Sequence, residues 1–323
     1  MNFLCGNGAG LGISGCIGVG CVLAMSLCRA GGSDKLSPGE HDAPIRDVQL
    51  HYTVAGKGPL VFVCSPGWGA GSFYLQQGLA PLEKNFTLLF IDTRGSGKSS
   101  KPQDATRMSA LEMAEDIEAL RNYLSLDQIM LMGHSDSGAI GLFYAERYPG
   151  QLAKLVVIDG VSYGHTAQDQ QETENERQIK GRLATDARYK AALEPFKPTA
   201  EGDAGMMQVM QHNLPLYFAD PEKNLPAFAR TIEGMTPSSF AAKANMAANH
   251  GPQIDSTSRL GEIKAKTLIV VGKQDWVCPV MVAEDLHRAI AGSELVEIEG
   301  SGHFPWIEQP AALFEAISTF LGR

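Results

Sequence analysis

Ile129-Met130-Leu131-Met132 runs directly into Gly133-His134-Ser135-Asp136-Ser137-Gly138, and this stretch decides the fold. An apolar strand, a Gly-x-Ser turn and a helix are what a nucleophile elbow requires, a sharp bend that holds a serine oxygen above a sheet. The helix is spelled out by Ala139, Ile140, Leu142, Phe143 and Ala145 running to Tyr148, and Pro149 ends it. The second glycine of the usual Gly-x-Ser-x-Gly pattern is Ser137 here, with Gly138 one residue later. Serine is small enough for the bend. Ser135 is the expected nucleophile, with Gly133 expected at the most strained backbone position. The alternative register makes Ser137 the nucleophile, with Ser135 and Ala139 as its small neighbours.

A serine hydroxyl needs a base to take its proton, and the base needs an anion to orient it. Both partners are expected later in the chain, at strand ends, acid before histidine. Lys266–Gly272 reads as a buried strand with Asp275 just past its end, and Glu294–Ile298 as the next, with His303 following in Gly300-Ser301-Gly302-His303-Phe304-Pro305. Each has an ordinary alternative. Asp275 suits a helix cap before Val280–Leu286, and His303 suits a loop histidine packed beside Trp306. The order and the strand contexts together favour a Ser135–Asp275–His303 triad. His134 is expected to pack beneath the elbow, and His51, His165, His212, His250 and His287 to be surface or packing residues.

Negative charge on the substrate oxygen needs two N–H donors. One is expected at the backbone of Asp136, the residue after the nucleophile. The other is expected in Ser65-Pro66-Gly67-Trp68-Gly69-Ala70-Gly71-Ser72, after the strand Pro59–Cys64. Pro66 has no N–H, so the donor is Gly67 or Trp68. This loop lacks the Gly-Lys-Ser/Thr ending of a phosphate loop.

With these residues in place, the chain resembles the α/β-hydrolase superfamily from about Val48 to Leu321. The carriers are the Ser65–Gly71 loop, Asp92-Thr93-Arg94-Gly95-Ser96-Gly97-Lys98-Ser99, the elbow at Ser135, Asp275 and His303. It is most similar to the prolyl-aminopeptidase-like branch, whose oxyanion loop usually reads His-Gly-Gly-Pro-Gly where this chain has Ser65-Pro66-Gly67-Trp68-Gly69. The resemblance implies a structural role for Asp92–Ser99. It also implies an acidic lid residue for a substrate amine, with Glu172, Glu174 or Glu176 as candidates, although Gln168–Lys180 reads first as a solvated helix face.

The chain has 323 residues, enough for a sizeable core in one α/β domain. A net charge of −9 with acids spread throughout argues against a nucleic-acid partner. Cys5, Cys16, Cys21 and Cys28 crowd the first 28 residues, leaving Cys64 and Cys278 in the body without metal-ligand spacing. No metal or cofactor is expected. Met1–Cys28 carries no charged residue, and Ile13–Cys28 is mostly apolar. This segment suits a secretion signal, a membrane anchor or a disordered leader. Membrane contact is expected only if it stays as an anchor, secretion or anchoring only if it acts as a signal, and a cytoplasmic location otherwise.

The expected organisation is a leader and linker over residues 1–41, an α/β core over 42–160 and 261–323, and a helical lid over 161–260. The core alternates strand and helix, which predicts a mostly parallel, eight-stranded sheet covered on both faces. A capping box is expected at Ser109 and Glu112. Met206, Met207, Met210, Met235 and Met246 put five of the twelve methionines in the lid. Methionine adapts its shape, so these residues suit either lid packing or an apolar pocket. The expected function is a serine hydrolase acting on a carboxylic ester or lactone of a mostly apolar small molecule. A prolyl aminopeptidase-like exopeptidase is the first alternative, and a non-hydrolytic lyase or ligand receptor the second.

Overall fold

The computed structural model describes residues 34–251 and 253–323. Eight strands form one sheet among them: β1 (Gly39–Ile45), β2 (Val48–Gly56), β3 (Leu60–Cys64), β4 (Thr87–Ile91), β5 (Ile129–His134), β6 (Leu152–Ile158), β7 (Lys266–Gly272) and β8 (Glu294–Ile298). Their order is β1-β2-β4-β3-β5-β6-β7-β8. The first two pairings are antiparallel and the others parallel. Helices fill the connections: α1 (Phe73–Leu79), α2 (Ala110–Tyr123), α3 (Asp136–Arg147), α4 (His165–Gln178), α5 (Lys190–Leu193), α6 (Gly202–Asn213), α7 (Pro221–Thr231), α8 (Ser239–Asn249), α9 (Val280–Ala289), α10 (Pro305–Glu308) and α11 (Pro310–Gly322). The mostly parallel eight-stranded sheet expected from the sequence is present.

The apolar runs of the central strands follow from burial on both faces. Within β3, Phe62 and Cys64 point into the core packed by α2 and α3, and Val61 and Val63 into the core packed by α1 and α11. Alternation on one strand thus feeds two hydrophobic layers. Register aligns the C-terminal ends, with Cys64 opposite Gly133 and Gly133 opposite Val157. Loops leaving β3, β5, β6 and β7 therefore emerge side by side, where open α/β sheets place their sites.

β1 corrects one expectation. Residues 39–41 end the stretch taken as a linker, yet Gly39–Ile45 pairs with Val48–Val54 throughout. It is an edge strand in which only Ala43 and Ile45 are buried, so its alternation is too brief to stand out in the sequence. The signal, anchor and leader expectations for the N-terminal segment fall outside the described residues. No helix among the described residues is long and apolar enough to cross a membrane.

Asp92–Ser99 is a structural hub. The fully buried Arg94 binds both Asp116 oxygens at 2.6 Å, the Arg107 carbonyl at 2.9 Å and Asp47 at 3.1 Å. Asp92 accepts the Ser72 N–H and hydroxyl at 2.7 Å each and the Lys98 N–H at 2.8 Å. Removing one member of such a pair strands the other charge in the core. Arg94→Met is expected to cost about 3–5 kcal/mol in urea unfolding, and adding Asp116→Leu to recover most of it. The capping box at α2 is half made. Ser109 Oγ accepts the Glu112 N–H, but the Glu112 carboxylate turns away to Arg46 and Arg107.

The lid elements α4 to α8 all lie between β6 and β7. Tyr217 and the α8 residues Ala242, Asn245, Met246 and Asn249 line the cleft that also holds Ser135.

Candidate active site

Ser135 alone links β5 to α3, with φ +59° and ψ −127°. A non-glycine residue is held there only where its surroundings force it. The expectation for Gly133 is corrected here, because it has no positive φ. Its glycine is required by close approach instead: a Cβ would stand 2.2 Å from the Ser137 carbonyl oxygen. The strain falls on the serine itself.

Ser137 is spoken for. Its Oγ accepts the His134 N–H at 2.8 Å and lies 2.9 Å from the Cys64 carbonyl and 2.8 Å from that of His134. It is fully buried, whereas Ser135 lines a cleft of about 350 Å³ with His303, Asp136, Trp68 and Tyr163.

Asp275 follows β7 and His303 follows β8. The His303 Nδ1–H donates to Asp275 Oδ2 at 2.7 Å, and the Val277 N–H donates to Asp275 Oδ1 at 2.8 Å. Asp275 caps no helix, since the N-cap of α9 is Pro279. The structure therefore joins His303 to Asp275 and brings Ser135 into the same cleft. No hydrogen bond links Ser135 Oγ to the His303 ring among the described residues. The Cys278 thiol lies beside Ser135, with its sulfur within 4.8 Å of the Asp275 and His303 ligand atoms. Burial holds that thiol well above its ordinary pKa, so it is neutral. Nucleophile–base contacts are often long without substrate and tighten when it binds. Asp275, Cys278 and His303 are also the one acid–thiol–imidazole cluster among the described residues close enough to share an ion. The carboxylate and imidazole already satisfy each other, which suits a proton relay.

His134 does more than pack beneath the elbow. A carbonyl only accepts, so the 2.8 Å contact with the His303 carbonyl makes His134 Nε2 a donor. Nδ1 then accepts the Tyr74 hydroxyl at 2.8 Å. Burial pushes the His134 pKa well below its usual value, consistent with this neutral tautomer. Glu308 fastens the same loop to the lid. It accepts the Gly302 N–H at 2.5 Å, those of Ala219 and Asp220 at 2.9 and 3.2 Å, and the Asn224 amide at 3.0 Å. The His303 N–H reaches the Tyr217 carbonyl at 2.8 Å. Sequence reasoning did not find Glu308, because its partners lie more than 80 positions away or on another turn.

The loop expected to supply an oxyanion donor makes a different contact. The Gly67 N–H donates to Asp136 Oδ2 at 2.6 Å, and the Tyr163 hydroxyl donates to Asp136 Oδ1. A side chain thus occupies one expected donor. Burial raises the Asp136 pKa, with Tyr163 and Gly67 pulling the other way. Asp136 opens α3, so its own N–H has no carbonyl one turn back. The Trp68 N–H has no protein partner among the described residues.

Glu172, Glu174 and Glu176 do not line the cleft. Glu174 pairs with Arg177, Glu176 with Lys180, and Glu172 faces solvent. The solvated reading of that helix holds for Glu172 and Glu176, whereas Glu174 is half-buried beside Arg177 and Gln178. His250, expected as a surface or packing residue, stands at the cleft rim. Beyond a wall shared by Trp68, Tyr217 and His303 lies a second cavity of about 60 Å³. Met207, Met210 and Met235 line it with Leu214, Phe228 and Ile232. Three of the five lid methionines therefore line this cavity, and a fourth, the exposed Met246, lines the cleft that holds Ser135.

Comparison with known proteins yields four findings. A family model described as the alpha/beta hydrolase fold matches residues 61–310. The chain is 31% identical over 280 residues to a proline iminopeptidase of Saccharolobus solfataricus, covering 84% of this chain and 87% of that protein. It is 25% identical over 285 residues to the 2-hydroxy-6-oxononadienedioate/2-hydroxy-6-oxononatrienedioate hydrolase of Escherichia coli, covering 86% and 92%. Among solved structures, the enol-lactonase from Burkholderia xenovorans LB400 superposes with a TM-score of 0.68 at 21% identity, covering 88% of this chain and all of that one.

Proposed function

The chain belongs to the α/β-hydrolase fold family, with proline iminopeptidases among its relatives, and on that premise we propose that it is a serine hydrolase cleaving a carboxylic ester or lactone of a mostly apolar small molecule. One observation carries this reading: the strained Ser135 and the Asp275-bound His303 line one cleft.

Catalysis then runs in two halves. His303 Nε2 takes the Ser135 proton as Oγ attacks the carbonyl carbon. Asp275 holds the Nδ1–H tautomer and stabilises the imidazolium. The tetrahedral oxyanion is received by the Asp136 and Trp68 N–H groups, and by Gly67 once the Asp136 carboxyl leaves it. His303 returns the proton to the departing alkoxide. It then deprotonates water, which attacks the acyl-enzyme, and hands that proton to Ser135 Oγ as the C–Oγ bond breaks and the acid leaves.

Two features favour an ester or lactone over an N-terminal peptide residue. Among the described residues no lid carboxylate lines the cleft, and the Asp136 carboxyl is engaged by Gly67 and Tyr163. The methionine-lined cavity suits a hydrocarbon portion of the substrate. The test compares a p-nitrophenyl ester with a prolyl arylamide. Turnover of the ester with a burst of nitrophenol is expected. Arylamide turnover without ester turnover supports the peptidase alternative, and binding without turnover supports a receptor.

A second expectation concerns chain length. Met210→Trp fills the apolar cavity. It is expected to lower kcat/KM on an octanoyl ester by about tenfold or more, with acetyl ester turnover nearly unchanged. Equal loss on both esters would place the chain elsewhere.

A further inference from the structure

Asp159, the residue after β6, is completely buried and takes φ +43°, a conformation that side chains seldom occupy. Its surroundings fix it there. Its N–H donates to the Val270 carbonyl at 2.8 Å, and its Oδ1 accepts the Gly272 N–H at 2.7 Å. The second oxygen, Oδ2, is buried and has no donor among the described residues. The side chain that meets Asp159 is Asp275. Glu308 and Cys278 are further titratable groups whose fields reach Asp159, and among the described residues no Lys or Arg forms an ion pair with it. Some other buried carboxyls face a cation instead. Asp116, for example, is enclosed by Arg94 and Arg46.

Two facing carboxyls in a dry site, with no Lys or Arg paired to either among the described residues, do not both ionise. Asp275 must be the anion, because it already accepts the His303 Nδ1–H and the Val277 N–H. We infer that Asp159 holds the proton of an Asp159–Asp275 carboxyl pair and donates it as a hydrogen bond to Asp275, making Asp159 a positioning residue for the relay. The assignment gives the orphaned Oδ2 its partner, as an O–H donor rather than a stranded acceptor. It rests on the Ser135–His303–Asp275 reading only for its effect on rate. The proton itself is a separate matter. Burial, and Asp275 beside it, hold Asp159 well above the usual carboxylate range, in agreement.

The donated bond draws charge off Asp275 and so limits how strongly Asp275 attracts the proton of His303. Without it the imidazolium is held more tightly, and the base becomes free only at higher pH.

The test uses Asp159→Asn and Asp159→Ala in the full chain. Asparagine keeps both bonds, its Nδ2–H donating to Asp275 and its Oδ1 accepting from Gly272. The wild type at pH 8 should show the infrared C=O stretch of a protonated carboxyl, and Asp159→Asn should lack it. That variant should retain kcat/KM within about twofold and keep the acid limb of its pH profile. Asp159→Ala should move the acid limb upward by about one pH unit, a tenfold loss on the acid side. Its His303 Nδ1–H proton resonance should shift as well. An unchanged infrared band in Asp159→Asn overturns the inference whether or not Ser135 is the nucleophile. So does an Asp159→Ala enzyme with an unshifted acid limb. Should the alanine variant not fold, the infrared comparison decides alone.

Discussion

Ser135→Ala is expected to lower kcat on a nitrophenyl ester by about 10⁶-fold, the scale on which losing the nucleophile of a serine relay falls. The reasoning is local. Without Oγ no acyl-enzyme forms, and what remains is the contribution of the N–H donors and substrate binding. The fold should be unharmed. Alanine at φ +59° bears the same backbone strain as serine there, and the Ser135 backbone bonds to Ile158, Gly138 and Val161 are untouched. Substrate or product binding, measured by calorimetry, should therefore persist. Ser137→Ala is expected to do the opposite. It breaks the contacts that close the turn beneath the elbow, at about 1 kcal/mol each, and leaves the chemistry in place. Full activity in Ser135→Ala, with loss in Ser137→Ala, would show that the wrong hydroxyl had been chosen.

The second large effect concerns Asp275. In Asp275→Asn the amide can donate to His303 Nδ1 as well as accept from it. Donation fixes the other tautomer, with the proton on Nε2. That nitrogen then has no lone pair for the Ser135 proton, and the imidazolium formed in the transition state has no counter-charge. Changes of this kind cost about 10⁴-fold in kcat. The near-isosteric amide should leave stability close to wild type, so rate and melting temperature separate the two contributions. A loss under tenfold would mean that Asp275 merely positions the loop.

Local pattern carried much of the fold into view. Apolar runs of strand length, Gly-x-Ser between strand and helix, and the order serine, acid, histidine all lie within short windows. These windows were enough to expect the sheet and to single out Ser135, Asp275 and His303. What escaped was of two kinds. β1 escaped because an edge strand buries few side chains. The remainder depends on partners distant in sequence. His134 meets the His303 carbonyl across 169 positions, Gly67 meets Asp136 across 69, and Asp159 meets the Gly272 N–H across 113. No window contains both members of such a pair. Gly133 shows a subtler limit. Its glycine was foreseen, but the cause is the Ser137 carbonyl pressing on it rather than its own torsion. The lid acids show the reverse case. Resemblance suggested an amine clamp, and Arg177 and Lys180 one helical turn away hold two of the three candidates at the surface instead.

Cys278 and Asp136 bear on how the site is entered. A neutral thiol lies beside Ser135, and the Asp136 carboxyl sits on the Gly67 N–H that the sequence offered as an oxyanion donor. An oxyanion bound at the Gly67 N–H would have to displace the Asp136 carboxyl.

The most direct measurement is covalent. A fluorophosphonate probe reacts with a serine only when a base activates it, and mass mapping identifies the modified residue. A single adduct on Ser135, absent in Ser135→Ala and strongly suppressed in His303→Ala, is the expected result. Failure to label a folded protein, or an adduct on Ser137 or any other serine, would contradict the account.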